Sequence, residues 1–241
     1  MPTGSHYSNV VFIQRQRYWS DVPARPTDGT PYAAAHAEGK RALRTLALDT
    51  ASTLLEQEGP AALTMRRIAA EMGCSTTVLY TIFGGKSGIA ETLWREGFAR
   101  LRTALAEARG PDPLARLAAM GHAYRRNALT NRAYYSIMFQ RPIPGFQPSE
   151  QARAESLEPL RVLADAVADC LEAGVFERGD PDYIARVLWA ASHGAVSLEL
   201  ADYEGATDAE QRFDDLIGAA AAWFMPAPPA RPDVPAPRPH P

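Results

Sequence analysis

Cysteine is nearly absent from this chain of 241 residues, since Cys74 and Cys170 are the only two. Two cannot build a disulfide framework, neither stands at a spacing that suits a metal, and the reducing cytosol is the compartment expected. No stretch of about 18 apolar residues occurs, which argues against a helix that crosses a membrane. The early apolar run of Val10, Val11, Phe12 and Ile13 is broken at once by Gln14, Arg15, Gln16 and Arg17. A secretory signal is therefore not expected. Runs rich in alternating Val, Ile and Thr are missing as well, so nothing announces a β-strand. Enzyme constellations are equally scarce. His6, His36, His122, His193 and His240 are scattered, and there is no triad, paired carboxylate or metal-ligand spacing. Gly85, Lys86 and Ser87 look like the end of a phosphate-binding P-loop, but that pattern needs glycine where Tyr80 stands, and no strand precedes it. No catalytic residue, cofactor or metal is expected.

What is present is enough for a core: 46% of residues are hydrophobic and 22% are charged, close to the globular average. The net charge of -3 is unevenly spread. Residues 1–100 carry 11 Lys or Arg against 9 Asp or Glu, whereas residues 101–241 carry 14 against 19. The acidity belongs to the later part, and the small positive excess of the earlier part is only weak evidence for nucleic acid.

Both ends read as extended segments: residues 1–36 mix Pro23, Pro26 and Pro31 with Gly, Ser, Thr and Asp, and residues 226–241 are rich in proline. Arg15, Arg17, Tyr18 and Trp19 could form an arm along DNA, or the first 36 residues could be a dispensable extension. Between the ends, apolar residues recur at three and four, the helical period. A first helix is expected from about Ala37 to Glu58, with Leu43, Leu46, Ala47, Thr50, Ala51, Leu54 and Leu55 as its inner stripe and Gly59 and Pro60 as its stop. Short helices over 64–72 and 75–83 follow, then a longer one over 86–108. Asp112 with Pro113 and Asp180 with Pro181 each open a further helix, as a cap followed by proline at the first helical position. Thr207 with Glu210 reads as a capping box. A helix over 149–173 carries Leu157, Leu160, Ala164, Val167 and Leu171 on one face. The whole is expected to be all-α, with about nine helices.

The informative stretch is Leu63 to Leu93. Two short helices separated by a turn at Gly73 are too short to stand alone and must pack on the first helix. Thr64 is placed to cap the first of them. Ile68, Ala69 and Met72 form its inner face, the small Ala69 admits a close crossing, and Leu79 and Phe83 turn the second helix inward. Helix, glycine turn and helix make a helix-turn-helix pattern. Thr76, Thr77 and Tyr80 are left outward at the part of such a helix that faces base edges. Lys86 follows at the start of the next helix, where its ammonium and the helix-terminal amides could hold a phosphate. Arg66 and Arg67 lie on the first short helix and Arg44 on the long one. Each residue alone is also compatible with an ordinary solvated surface.

Taken together, these residues resemble the DNA-binding domain of TetR-type transcriptional regulators. The resemblance rests on Thr64, Ile68, Ala69, Gly73, Cys74 and Ser75, then Tyr80, Thr81, Ile82 and Phe83, then Lys86 and Ile89, within Arg44 to Leu93. It implies phosphate contacts from Thr64, Tyr80 and Lys86, and places Arg66, Thr76 and Thr77 nearest to bases, with Arg44 and Ser75 in the same DNA-binding set. The sequence departs from the family at Gly84 and Gly85, where a stiffer pair with a capping side chain is usual. Gly88 reads as weakening the next helix, and Thr81 and Ile82 replace an aromatic or histidine.

In that family the remaining helices dimerise and hold a small ligand. The helix after Pro181 is apolar on two sides, with Ile184, Val187, Leu188, Ala191, Ala195 and Leu198 on one and Trp189, Val196 and Leu200 on the other. Together with the final helix (Phe213, Leu216, Ile217, Ala220, Trp223 and Phe224) it is the candidate interface of a homodimer, or else the core of a monomer. Trp189, Ser192, His193 and Gly194 also resemble the C-terminal subtype named for its Trp-His-Gly residues. Met120, Tyr124, Tyr134, Tyr135 and Phe139, with Trp189 and His193, are the candidate ligand-binding residues, although such aromatic sets also fill cores. His193 could donate to a ligand or satisfy a buried carbonyl.

The expected organisation is thus a disordered extension over 1–36, a helix-turn-helix DNA-binding domain over 37–85, a ligand-binding and dimerisation domain over 86–225, and a proline-rich tail over 226–241. The expected function is a cytosolic transcriptional repressor, bound to a palindromic double-stranded operator and released by a small apolar or aromatic effector. A helical ligand-binding or adaptor protein that no longer reads DNA is the alternative.

Overall fold

Thr30 and Pro31 begin the first helix. The Thr30 hydroxyl accepts from the Ala33 amide at 3.2 Å, and Pro31 fills the position where a missing N–H costs nothing. α1 consequently spans Pro31–Glu58, starting earlier than the expected Ala37. These positions come from a computed structural model that describes residues 29–140, 143–177, 179–202 and 207–227. The suggested arm at Arg15 to Trp19 and most of the proline-rich tail lie outside the described residues. The chain divides into two compact units, one up to Ala47 and one from Leu48 onward.

In the first unit, α1 is exposed along almost all of its length. Leu43 and Leu46, expected on the inner stripe, are 42% and 51% exposed. The buried stripe of the helix is Ala47, which ends this unit, and Leu48, Ala51, Leu54 and Leu55, which belong to the second. At 3.6 residues per turn, Leu43 and Leu46 fall roughly 80° and 140° from its centre.

In the second unit, Gly59 stops α1 with φ at 78° and a 3-10 turn over Pro60–Ala62 follows. Then come α2 (Met65–Glu71), α3 (Thr76–Phe83), α4 (Lys86–Ala106) and α5 (Pro113–Thr130). α6 (Arg132–Tyr135) runs directly into a single π turn over Ser136–Gln140. α7 (Glu150–Glu155), α8 (Glu158–Glu172), α9 (Pro181–Leu200) and α10 (Ala209–Ala222) complete it. No strand occurs among the described residues, and the all-α expectation holds. α4 packs on α5 and α8, and α9 packs on both α8 and α10. Leu93, Leu101, Leu105, Met120, Phe176, Ile184 and Phe213 are sealed in the core.

Three expected caps form. Thr64 accepts from the Arg67 amide at 3.1 Å, Asp112 from the Ala115 amide at 2.8 Å, and Asp180 from the Asp182 amide at 3.3 Å. The capping box of Thr207 and Glu210 does not form. Asp208 takes the cap position in a left-handed conformation, φ 63°, without a side-chain hydrogen bond. That shifts the helix start by one residue, out of register with the box.

The single helix expected over 149–173 is two. Pro159 has no N–H to give and its ring would strike the carbonyl of Glu155, so α7 ends at Glu155 and α8 restarts with the proline in its first turn. The inner face is correspondingly Pro159, Leu163, Ala164, Ala166, Val167 and Cys170, while Leu157 is 50% exposed.

Candidate nucleic-acid interface and ligand cavity

The turn between α2 and α3 closes on Gly73, whose φ of 64° is a left-handed value that favours glycine. The Gly73 amide donates to the Ala70 carbonyl and the Cys74 amide to the Ala69 carbonyl. Ile68 and Ala69 below the turn, and Leu79 and Phe83 on α3, are buried. That burial turns Ser75, Thr76, Thr77 and Tyr80 to solvent, with Tyr80 54% exposed. The Ser75 hydroxyl caps nothing.

Gly84 ends α3 with φ 73°, and Gly85 precedes α4 with φ 146° and no side-chain cap. The first amides of α4 are therefore left without a capping side chain beside the exposed Lys86. Gly88 is required, not merely tolerated: a Cβ there would lie 1.7 Å from the Phe83 carbonyl oxygen. Helix propensity alone marks it only as a weak helix former.

The arginines differ. Arg66 is exposed. Arg67 donates to Glu58 at 2.6 Å and to Glu71 at 2.7 Å, and those bonds hold its guanidinium firmly charged while drawing the Glu58 carboxyl below its ordinary value. It serves the frame that holds α2 on the end of α1. Thr64, Arg66, Ser75, Thr76, Thr77, Tyr80 and Lys86 all lie exposed on α2, α3 and the start of α4. Arg44 is exposed on α1 in the first unit.

The larger helices enclose a cavity of about 320 Å³. Its wall is mainly apolar and includes Leu105, Leu117, Met120, Leu163, Leu188, Trp189, Phe213, Ile217 and Met225. Of the sequence candidates, Met120, Tyr124 and Trp189 line it. Phe213 and Ile217, expected at a subunit interface, face the cavity instead; their i, i+4 spacing is visible in the sequence, but the side they face is not. Few polar groups reach the space. Ser192 donates to the Leu188 carbonyl at 2.9 Å, and His122 stands 3.5 Å from Asp214.

Tyr135, Phe139 and His193 do not line the cavity; they form a polar and aromatic node behind Tyr124 and Trp189. The hydroxyls of Tyr124 and Tyr135 lie 3.1 Å and 3.0 Å from His193 Nδ1. Phe139 meets the His193 ring edge-on at 4.7 Å, and Tyr124 meets Trp189 at 5.4 Å. Burial lowers the His193 pKa and raises those of Tyr124 and Tyr135. Burial thus favours the neutral imidazole, whose Nδ1 faces both hydroxyls.

Tyr134 sits elsewhere. Arg100 covers its ring at 4.3 Å, its buried hydroxyl has no hydrogen-bond partner among the described residues, and burial pushes its pKa up to about 12. Arg100 also donates to Glu96 at 2.9 Å and to Asn131 at 3.1 Å, and lies 3.6 Å from Asp49 on the second-unit part of α1. Met138, on the π turn, closes on Gly97 of α4, where a Cβ would come within 2.6 Å of its sulfur.

Residues 47–93 match the family described as bacterial regulatory proteins, tetR family, and residues 117–220 match the tetracyclin repressor-like C-terminal domain. Among solved structures, the protein SCO4313 is 27% identical, over 76% of this chain and 97% of its own, with a TM-score of 0.64. A Rhodococcus sp. RHA1 protein of unknown function is 25% identical, over 76% of this chain and 96% of its own, at a TM-score of 0.68. The TetR family transcriptional regulator PfmR from Thermus thermophilus shares the fold at 20% identity, over 73% of this chain and 97% of its own, with a TM-score of 0.59. No curated protein matches the chain.

Proposed function

The chain belongs to the tetR family of transcriptional regulators, and on that premise we propose that it is a cytosolic repressor released from a palindromic operator by a small apolar or aromatic effector. The observation that carries the DNA reading is the set of exposed hydroxyls on α3. Among the described residues, Thr76, Thr77 and Tyr80 have no side-chain hydrogen-bond partner, and Lys86 beside the uncapped start of α4 has none either. In this reading Thr64, Tyr80 and Lys86 hold phosphates, while Arg66, Thr76 and Thr77 meet base edges, with Ser75 beside them.

α9 and α10 form the homodimer interface in this reading. Leu198 and Leu216 are 49% and 44% exposed, an apolar pair that a second copy would cover. Two reading heads would then enter major grooves about 34 Å apart. Trp189 on the cavity wall and His193 in the node support the Trp-His-Gly resemblance.

The effector acts through differential binding. An apolar molecule that shifts Tyr124 or Trp189 disturbs the shared contact at His193 Nδ1, then Tyr135 and the π turn, and then Met138 against Gly97 of α4, the helix that begins at Lys86. Converting 99% operator-competent dimers into 1% takes about 5.5 kcal/mol of preference for the released state. A gel-shift titration with DNA flanking the gene tests the reading. Lys86→Ala should weaken binding on every sequence and lower the salt slope by about 0.9 for each protomer bound. Unchanged binding would remove Lys86 from the interface.

A further inference from the structure

α10 turns one side to the cavity. Phe213, Asp214, Ile217, Gly218 and Ala221 all line it, and at 3.6 residues per turn they span an arc of roughly 140°. Four of them are apolar or small, and the fifth is a carboxylate. A charged residue set in an apolar stripe is the informative kind of exception. No lysine or arginine is among the described residues that line the space. Asp214 has one ion-pair contact among the described residues, with His122 at 3.5 Å. Charge-assisted hydrogen bonds are usually shorter, about 2.7–2.9 Å. Arg125, further along α5, is held by Glu199 at 2.7 Å.

Space and polarity agree. Gly218 stands one turn beyond Asp214, and a Cβ there would meet nothing within 4 Å, so the room beside the carboxylate is open. The Asp214 side chain is 43% exposed, which puts it at the mouth, while Ser192 is buried deep in the wall. Ser192 spends its hydrogen on the Leu188 carbonyl, so toward the cavity its oxygen can only accept. The wall thus offers a carboxylate and a hydroxyl oxygen, together with the rings of Trp189, Tyr124 and Phe213. Aromatic faces attract cations. His122, which alone on this wall could face an anion as a cation, already stands against Asp214. Residues 48–227 carry 17 Lys or Arg against 24 Asp or Glu, a net of -7, and that field draws cations and repels anions.

We propose that the cavity takes a lipophilic amine in its protonated form, with the ammonium on Asp214 at the mouth and an apolar or aromatic body against Trp189, Tyr124 and Phe213. The inference rests on the effector reading above and narrows it to one head group. A space of about 320 Å³ is at the small end for ligand sites, so the body is one or two rings or a short chain. An ammonium at the mouth keeps part of its water, which avoids most of the cost of burying a charge. A carboxylate on the same body would meet Asp214 as a like charge.

The test is calorimetric titration of the full chain near neutral pH with three probes that share one body: naphthylethylamine, naphthylethanol and naphthylacetate. The amine should bind about tenfold more tightly than the alcohol, and the acetate most weakly of the three. Asp214→Asn should bring the amine down to the level of the alcohol. Asp214→Glu should keep the amine's lead, which separates lost charge from a folding defect. A lead for the alcohol or the acetate in the unaltered chain, an amine lead that survives Asp214→Asn, or binding of none of the three would overturn the inference. Each of these outcomes leaves the DNA reading intact, because a gel shift without probe decides that separately. If the unaltered chain shifts no fragment from beside its gene, the regulator reading fails, while the preference for an amine stands or falls on the titration alone.

Discussion

The reading head and the cavity-bearing helices use their polar side chains in opposite ways. On α3, burial of Leu79 and Phe83 leaves the side chains of Thr76, Thr77 and Tyr80 facing solvent, without a hydrogen-bond partner among the described residues. Around the cavity, the polar atoms already serve one another: Ser192 bonds Leu188, and Tyr124 and Tyr135 share His193. A surface with unspent donors suits a ligand that is itself a row of acceptors. A cavity whose polar groups are satisfied selects by shape and apolar area, because burying an unpaired polar ligand group there would cost more than it returned.

The sharpest way to break the comparison is Gly88→Ala. Its Cβ would meet the Phe83 carbonyl at 1.7 Å, so α3 and α4 must part. About 3 kcal/mol of stability should be lost, visible as a lower melting temperature together with lost DNA binding. Thr77→Ala removes one of the unspent hydroxyls without touching the core; it should change discrimination at one base pair by about 2 kcal/mol, measured by competition between operator variants. Tyr135→Phe probes the other region. Operator affinity without effector should hold, while coupling between effector and operator falls by about 1 kcal/mol, read from paired titrations. Arg66→Ala should relax discrimination at the base pair it meets by about 1 kcal/mol, whereas Arg67→Ala, which breaks only the contacts with Glu58 and Glu71, should leave discrimination alone.

The smallest effect concerns pH. Burial lowers the His193 pKa below its ordinary 6.5, so the unfolded chain binds the proton more readily. The stability that His193 contributes is present above about 6.5 and declines as pH falls toward the folded value. His193→Gln should flatten that acid limb when melting temperature is followed against pH.

Much of this was legible in the residues. Thr64, Gly73, Leu79 and Phe83 act through local rules of capping, left-handed turns and i, i+4 spacing, and these rules place the head without tertiary knowledge. The cavity depends on how helices distant in sequence rotate against one another, which periodicity does not specify. Phe213 thus reads as an interface residue though it faces the cavity, and Tyr134 reads as a ligand contact though it lies under Arg100. Gly88 misleads because its reason is a carbonyl five residues earlier, across a turn. Pro159, by contrast, carries its helix break in plain view.

The described tryptophans occupy three unlike environments, and the molecule is in consequence its own optical instrument. Trp94 is 8% exposed and packed on Phe98, Trp223 is 85% exposed at the end of α10, and Trp189 stands on the cavity wall. A molecule entering the cavity should quench or shift the emission of Trp189, while pairing of two copies should move Trp223 toward shorter wavelengths. With Trp94 as an internal constant, phenylalanine at 189 or 223 assigns each signal, so effector entry and assembly can be followed separately in one unlabelled sample.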